Sequence, residues 1–215
     1  MTDYSLIFCI VNIGHASKAL KFARNYGVKG GTIYYGRGTS RNRFLEFLEL
    51  HEVRKEILIM VVESELASDA IKGISKDMEF HKANHGIAFL LCVAEFIGSK
   101  NENICRGTCE ECESMYKLIY TIVEKGRAEE VVDAANKVGS TGATIINARG
   151  AGPHEVQKLF SIEVEPEKEK VLIIAKNDVK DAVVQSIRKD LNIDEPGRGI
   201  LFVLDVNEVY GMHMS

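Results

Sequence analysis

The chain has 215 residues, 46% apolar and 27% charged, with a formal net charge of -4. That balance is ordinary for a soluble globular protein and gives no electrostatic reason to expect nucleic acid or an anionic membrane as a partner. No apolar run approaches the roughly 18 residues of a membrane helix, the first residues lack a secretion-signal pattern, and five cysteines point to a reducing cytoplasm.

In chain order, short β-branched apolar runs predict strands at residues 5–11, 31–36, 56–62 and 87–93, with helices at 15–26 and 66–77 and a loop at 37–55. A strand follows at 118–123. Ala128, Val131, Val132, Ala135 and Val138 then lie on one helical face, and Gly139 ends that helix. Further strands are predicted at 143–148, 170–176 and 200–206, with a polar connection at 149–169. The helix at 179–191 has Asp178 where an N-cap should stand. Each half reads βαββαβ, the ferredoxin-like arrangement of the α+β class. Helices cover one sheet face, and the apolar residues of the other need a partner, so copies are expected to pack sheet against sheet.

The halves are duplicates. Over residues 4–39, 14 of 36 positions are identical at an offset of 112, among them Gly14/Gly126, Gly27/Gly139, Thr32/Thr144 and Arg37/Arg149. Farther on the offset is 113, where His85-Gly86-Ile87 answers Arg198-Gly199-Ile200. The self-match sets the expected domains: repeat 1 at 1–98, a cysteine-bearing linker at 99–115, and repeat 2 at 116–215.

In repeat 2, Gly139-Ser140-Thr141-Gly142-Ala143-Thr144, Arg149-Gly150-Ala151-Gly152, the long loop, Glu165-Pro166, and Glu195-Pro196-Gly197-Arg198-Gly199-Ile200 stand in an order that resembles the PII signal-transduction family. The resemblance covers both repeats and is strongest in the second. It implies a non-enzymatic, cytoplasmic regulator, trimeric in symmetry. Such a regulator binds an adenine nucleotide and docks onto a transporter or a nitrogen-metabolism enzyme through its long loop. By position, Thr141 and Thr144 match the adenine-side threonines, Gly150 and Gly152 the loop-root glycines, Lys168 a lysine near the phosphates, and Gly197 and Gly199 the turn beneath them. Loops 37–55 and 149–169 are then the expected docking segments.

Several residues depart from that pattern. Ile200 stands for a phosphate-side lysine, Pro153 and His154 for an arginine and a glutamine, and Gly211 and His213 for two arginines. The three cations lost from the phosphate side, at Ile200, Gly211 and His213, take away most of the charge-assisted bonding of a triphosphate, which Arg149 or Arg198 restores in part. AMP, ADP, a cyclic nucleotide, bicarbonate or no ligand therefore stand beside ATP. Repeat 1 is poorer still, with Ser40 for the second loop glycine and His85 opposite Arg198.

The linker places Cys105, Cys109 and Cys112 within eight residues. That spacing suits zinc or an iron–sulfur cluster with a fourth ligand from elsewhere, a reversible disulfide, or incidental thiols on a solvated linker. Repeats of this size cannot supply the barrel that radical S-adenosylmethionine enzymes build around such a motif. Cys9 and Cys92 fall in predicted strands and are expected in the core. Six histidines show no ligand spacing, and no nucleophile–base order stands out, so an enzyme is not expected. The apolar stretch at 41–50 reads as a docking segment for a partner or as a short amphipathic helix packed locally, the docking segment being preferred. A metal- or redox-responsive binder and a ligand-free assembly subunit are the alternative functions.

Overall fold

The continuous apolar run Leu6–Val11 makes β1 (Tyr4–Asn12) a strand buried on both faces in a computed structural model that describes residues 3–40, 52–93, 95–96, 105–106, 115–140, 142–149, 157–159, 162–164 and 167–212. Repeat 1 continues with α1 (Ala16–Arg24), β2 (Thr32–Ser40), β3 (Glu52–Glu63), α2 (Ser64–Asp77) and β4 (Gly86–Cys92). Two short strands, β5 (Glu95–Phe96) and β6 (Cys105–Arg106), pair across the linker, with Phe96 opposite Cys105. Repeat 2 runs β7 (Tyr116–Glu124), α3 (Ala128–Asn136), β8 (Gly142–Arg149), β9 (Gln157–Leu159), β10 (Ile162–Val164), β11 (Glu167–Lys176), α4 (Asn177–Leu191) and β12 (Ile200–Val206). A last strand, β13 (Glu208–Tyr210), follows.

Two compact units divide these elements. Unit 1 comprises Met1–Tyr35, Arg54–Tyr116 and Asp205–Ser215, and unit 2 comprises Gly36–Val53 and Lys117–Leu204. Unit membership is thus not the same as the repeats at 1–98 and 116–215, because residues 36–53 count with unit 2 and residues 205–215 with unit 1.

In unit 1 the strand order is β2-β3-β1-β4-β13, with β1 antiparallel to both β3 and β4. Ile7, Cys9 and Val11 face the two helices, and Ala16, Ala19 and Ala23 let α1 approach the sheet closely. On the other face Phe8 stacks on Phe89 with ring centroids 5.0 Å apart. Each such buried side chain stabilises the fold by about 1.5–3 kcal/mol. Unit 2 has the order β12-β7-β11-β8-β2, which is the same ferredoxin-like arrangement. Its helix-side core holds Ile119, Ile145, Val171, Ile173, Val183 and Ile187. Tyr120 stacks on Phe202 at 4.7 Å, repeating the Phe8–Phe89 pair. The edge strands differ. β4 carries β13 at its outer side, whereas β12 leaves Ile200, Phe202, Val203 and Leu204 exposed.

The duplication extends to backbone shape. Left-handed φ values match at Gly14 and Gly126 (82° and 91°), Glu79 and Asn192 (56° and 52°), Asn84 and Gly197 (64° and 81°), and Gly86 and Gly199 (142° and 148°). A Cβ on Gly199 would stand 2.6 Å from the Ile122 carbonyl oxygen, and one on Gly86 2.8 Å from that of Ile10. Only glycine meets both demands there.

Four expectations are corrected. β2 runs on to Ser40, inside the expected 37–55 loop, because its last residues pair with β8 from Arg37↔Ile145 to Ser40↔Gly142. The 149–169 connection holds the β9–β10 hairpin, and β11 begins at Glu167 rather than 170. Asp178 is not an N-cap: Lys176, extended at φ -64° and ψ 150°, precedes the helix, and Asp178 sits in its first turn near the positive end of the dipole. Cys92 is exposed at the end of β4, where its thiol meets Asn207 Oδ1 at 3.3 Å. Cys9 is fully buried, as expected.

Candidate functional site

The candidate ligand residues all belong to repeat 2, and pairing with β8 fixes the start of β11. Lys168 stands opposite Ala148 and Thr144 opposite Leu172, so both point to the sheet face away from the helices. They are four residues apart along the strand, about 13 Å. Thr144 is buried. Arg149 pairs through its backbone with Glu167, next to Lys168. Thr141, Gly150 and Gly152 lie outside the described residues, as do Cys109 and Cys112.

Several segments converge at the Lys168 end of the sheet. The Lys125 amide donates to the Glu167 carbonyl at 3.1 Å, and their side chains form an ion pair. Gly199 packs against the end of β7, where a Cβ would meet Ile122 O, Val123 Cγ1 and also Ile193 Cδ1. The Arg127 guanidinium donates to the Arg198 carbonyl oxygen at 3.5 Å, which ties the helix start to the 197–199 turn. Lys168, Gly197, Arg198, Gly199 and the Arg149 backbone therefore share one end of the sheet, whereas Thr144 is remote from it.

Carboxylates already attend these cations. Arg198 Nε bonds Glu195 Oε2 at 3.0 Å, and Arg127 holds Glu130 at 2.8 Å. The Arg127 hydrogen bond keeps the Glu130 carboxyl below the usual carboxylate range. A phosphate arriving here exchanges carboxylate partners rather than filling an unpaired basic pocket.

Sequence reasoning missed the buried carboxylate of each repeat. Glu169 Oε2 accepts the amides of Gly126 and Ala128, both at 3.0 Å, at the start of α3. In repeat 1, Glu56 Oε2 accepts the Ala16 amide at 2.8 Å at the start of α1. Neither helix has a side-chain cap of its own, because His15 and Arg127 stand in the N-cap positions. A 113-residue offset sets Lys55-Glu56 over Lys168-Glu169, and that was the available signal. Glu169 Oε1 also receives Arg37 Nη2 at 2.8 Å.

The equivalent corner of repeat 1 is stitched together internally. Lys55, the counterpart of Lys168, donates to Asn12 Oδ1 at 2.7 Å, and Asn12 Nδ2 donates to the Asn84 carbonyl at 3.0 Å. Burial lowers the Lys55 pKa from its ordinary value. Among the described residues no group of three His, Cys, Asp or Glu could hold a metal ion. No described helix is long and apolar enough to cross a membrane.

The family model described as Nitrogen regulatory protein P-II matches residues 116–214. The chain is 30% identical, over 95 residues, to the nitrogen fixation nifHD region glnB-like protein 1 of Methanococcus maripaludis, covering 44% of this chain and 90% of that protein. The chain belongs to the P-II family. A Methanothermococcus thermolithotrophicus glnB-like protein 1 matches to the same extent, at 30% over 95 residues. Two solved P-II structures are also similar. Arabidopsis thaliana PII bound to citrate is 27% identical, covers 44% of this chain and 78% of its own, and has a TM-score of 0.35. The B. subtilis GlnK-ATP complex is 21% identical, covers 45% and 93%, and also has a TM-score of 0.35. The P-II match lies on repeat 2, the repeat with the 197–199 turn, and repeat 1 has the same series of elements.

Proposed function

We propose that this P-II protein is a signal-transduction regulator, not an enzyme, that senses an adenine nucleotide in repeat 2. Lys168, Arg198 and the backbone of Gly197 and Gly199 bind the phosphates, and Thr144 lies toward the base. The protein works in the cytoplasm as a homo-oligomer of trimeric symmetry. It controls a transporter or a nitrogen-metabolism enzyme through the 37–55 and 149–169 segments.

The observation that carries this reading is the convergence of Lys168, Arg198 and the left-handed 197–199 turn within the segment that matches the P-II model. A left-handed glycine turn beside cations favours an anion. Since Arg198 is shared with Glu195, a diphosphate suits the site better than a triphosphate. The apolar edge of β12 supports self-association.

Isothermal calorimetry with ATP, ADP and AMP tests the reading. ADP binds, and Lys168→Ala weakens it by about tenfold, the loss expected for one charge-assisted hydrogen bond. Absence of heat and of thermal stabilisation with all three nucleotides would overturn it.

A further inference from the structure

Arg37 belongs by sequence to repeat 1, yet its guanidinium lies 2.8 Å from Glu169 in repeat 2. Glu169 is 3% exposed and divides its two oxygens between that guanidinium and the Gly126 and Ala128 amides. Between those amides sits Arg127, which reaches the Arg198 carbonyl inside the 197–199 turn. A hydrogen-bonded path therefore runs from Arg37 through Glu169 and the first turn of α3 to the glycine turn.

We propose that Arg37 is a positioning residue for the repeat 2 site, setting the 197–199 turn through Glu169 and Arg127 without touching a ligand. The physical argument rests on the buried carboxylate. Glu169 must satisfy helix amides on one side, and a buried anion with a single kind of partner is costly. Arg37 neutralises it and fixes its rotamer. That rotamer sets the height of the helix start, and with it the place of Arg127. Backbone pairing holds Arg37 in register, opposite Ile145 on β8. A residue of repeat 1 thereby takes part in holding the first turn of α3 in repeat 2. The signalling use of the path rests on the proposed nucleotide site, but the path itself does not.

Hydrogen exchange by NMR on full-length variants tests it. In Arg37→Gln, the Gly126 and Ala128 amides exchange at least about tenfold faster, as expected for loss of a charged hydrogen bond, and the amides at 197–200 follow. Arg37→Lys keeps a cation against Glu169 and stays near the parent. Faster exchange confined to residues 36–40 would overturn the proposal. If Arg37→Gln does not fold, Arg127→Gln decides, with Glu130→Gln as the control for the Arg127–Glu130 pair: it leaves Glu169 and its amides in place and cuts the last link. The 197–200 amides then exchange faster while those of Gly126 and Ala128 do not, and an unchanged turn overturns the proposal. ADP affinity is a separate arm. Arg37→Gln weakens ADP by about tenfold, with Arg37→Lys restoring it, and a parent that binds no ADP overturns the nucleotide site while the exchange result still judges the path.

Discussion

Glu56 Oε2 accepts the backbone amide of Ala16 at 2.8 Å, and so the third strand of repeat 1 caps the first helix of the same repeat. His15, in the N-cap position, makes no side-chain cap bond, so the helix start depends on this distant carboxylate. Glu56→Ala leaves a buried amide without an acceptor and costs about 1–2 kcal/mol, read as a lower urea midpoint. Glu56→Gln keeps an acceptor and loses only the charge–dipole part, under about 1 kcal/mol. Equal losses in the two variants would show that the charge, not the hydrogen bond, matters.

How much of this was legible follows from where each signal lives. Strand and helix positions came from local periodicity, and the duplication cross-checked each one: β4 and β12 were both placed, and both exist. The extension of β2 to Ser40 was not readable, because residues 37–40 are held by pairing with β8 more than a hundred residues away. Glu169 was hidden for a related reason. In Glu167-Lys168-Glu169-Lys170 alternating charge looks like a solvated strand end, and only the fold brings helix amides to one of the two carboxylates. The order of elements puts Lys168 at the start of β11 and the 197–199 turn at the start of β12, and that placement was readable. The distance of Thr144 from them was not, since spacing along a sheet depends on register.

Thr121 carries a fully buried hydroxyl oxygen that has no hydrogen-bond partner among the described residues. Its counterpart in repeat 1 is Cys9, a residue that asks little of its surroundings. Thr121→Val has nearly the same shape and removes the desolvated hydroxyl, so it stabilises by about 1 kcal/mol. Thr121→Ser keeps the hydroxyl and loses a packed methyl, so it destabilises by about 1 kcal/mol. Chemical denaturation of the two variants checks the opposite signs.

Gly73 lies in the middle of α2, where alanine would ordinarily gain about 1 kcal/mol of helix propensity. Here a Cβ would come within 2.1 Å of the Tyr26 ring, which rests on the helix with its hydroxyl 3.5 Å from Asp77. Overpacking of this kind costs about 1–3 kcal/mol, so the steric term wins and Gly73→Ala is destabilising. The ring can be removed to test the cause. In a Tyr26→Ala background the same glycine substitution becomes neutral or stabilising, and additivity of the two changes would refute the contact as the reason.

Cys9 gives the protein a predictable alkaline weakness. Its thiol is fully buried, and that burial pushes its pKa up from 9.0 to about 12. Because the folded value lies above the unfolded one, the group favours folding fully below pH 9, and the contribution is lost as pH climbs from 9 toward 12. The loss is about 1.4 kcal/mol per pH unit once the unfolded thiol ionises. Cys9→Ala costs a fixed amount from the cavity at every pH and removes the titration. The stability gap between parent and variant should therefore shrink by about 2 kcal/mol between pH 8 and pH 10.5. Tyr210, raised to about 12 by burial and its bond to Glu208, titrates in both proteins and cancels from the difference. Urea unfolding at the two pH values measures the gap, and a gap that does not change with pH would mean that the thiol ionises equally in the folded and unfolded chains.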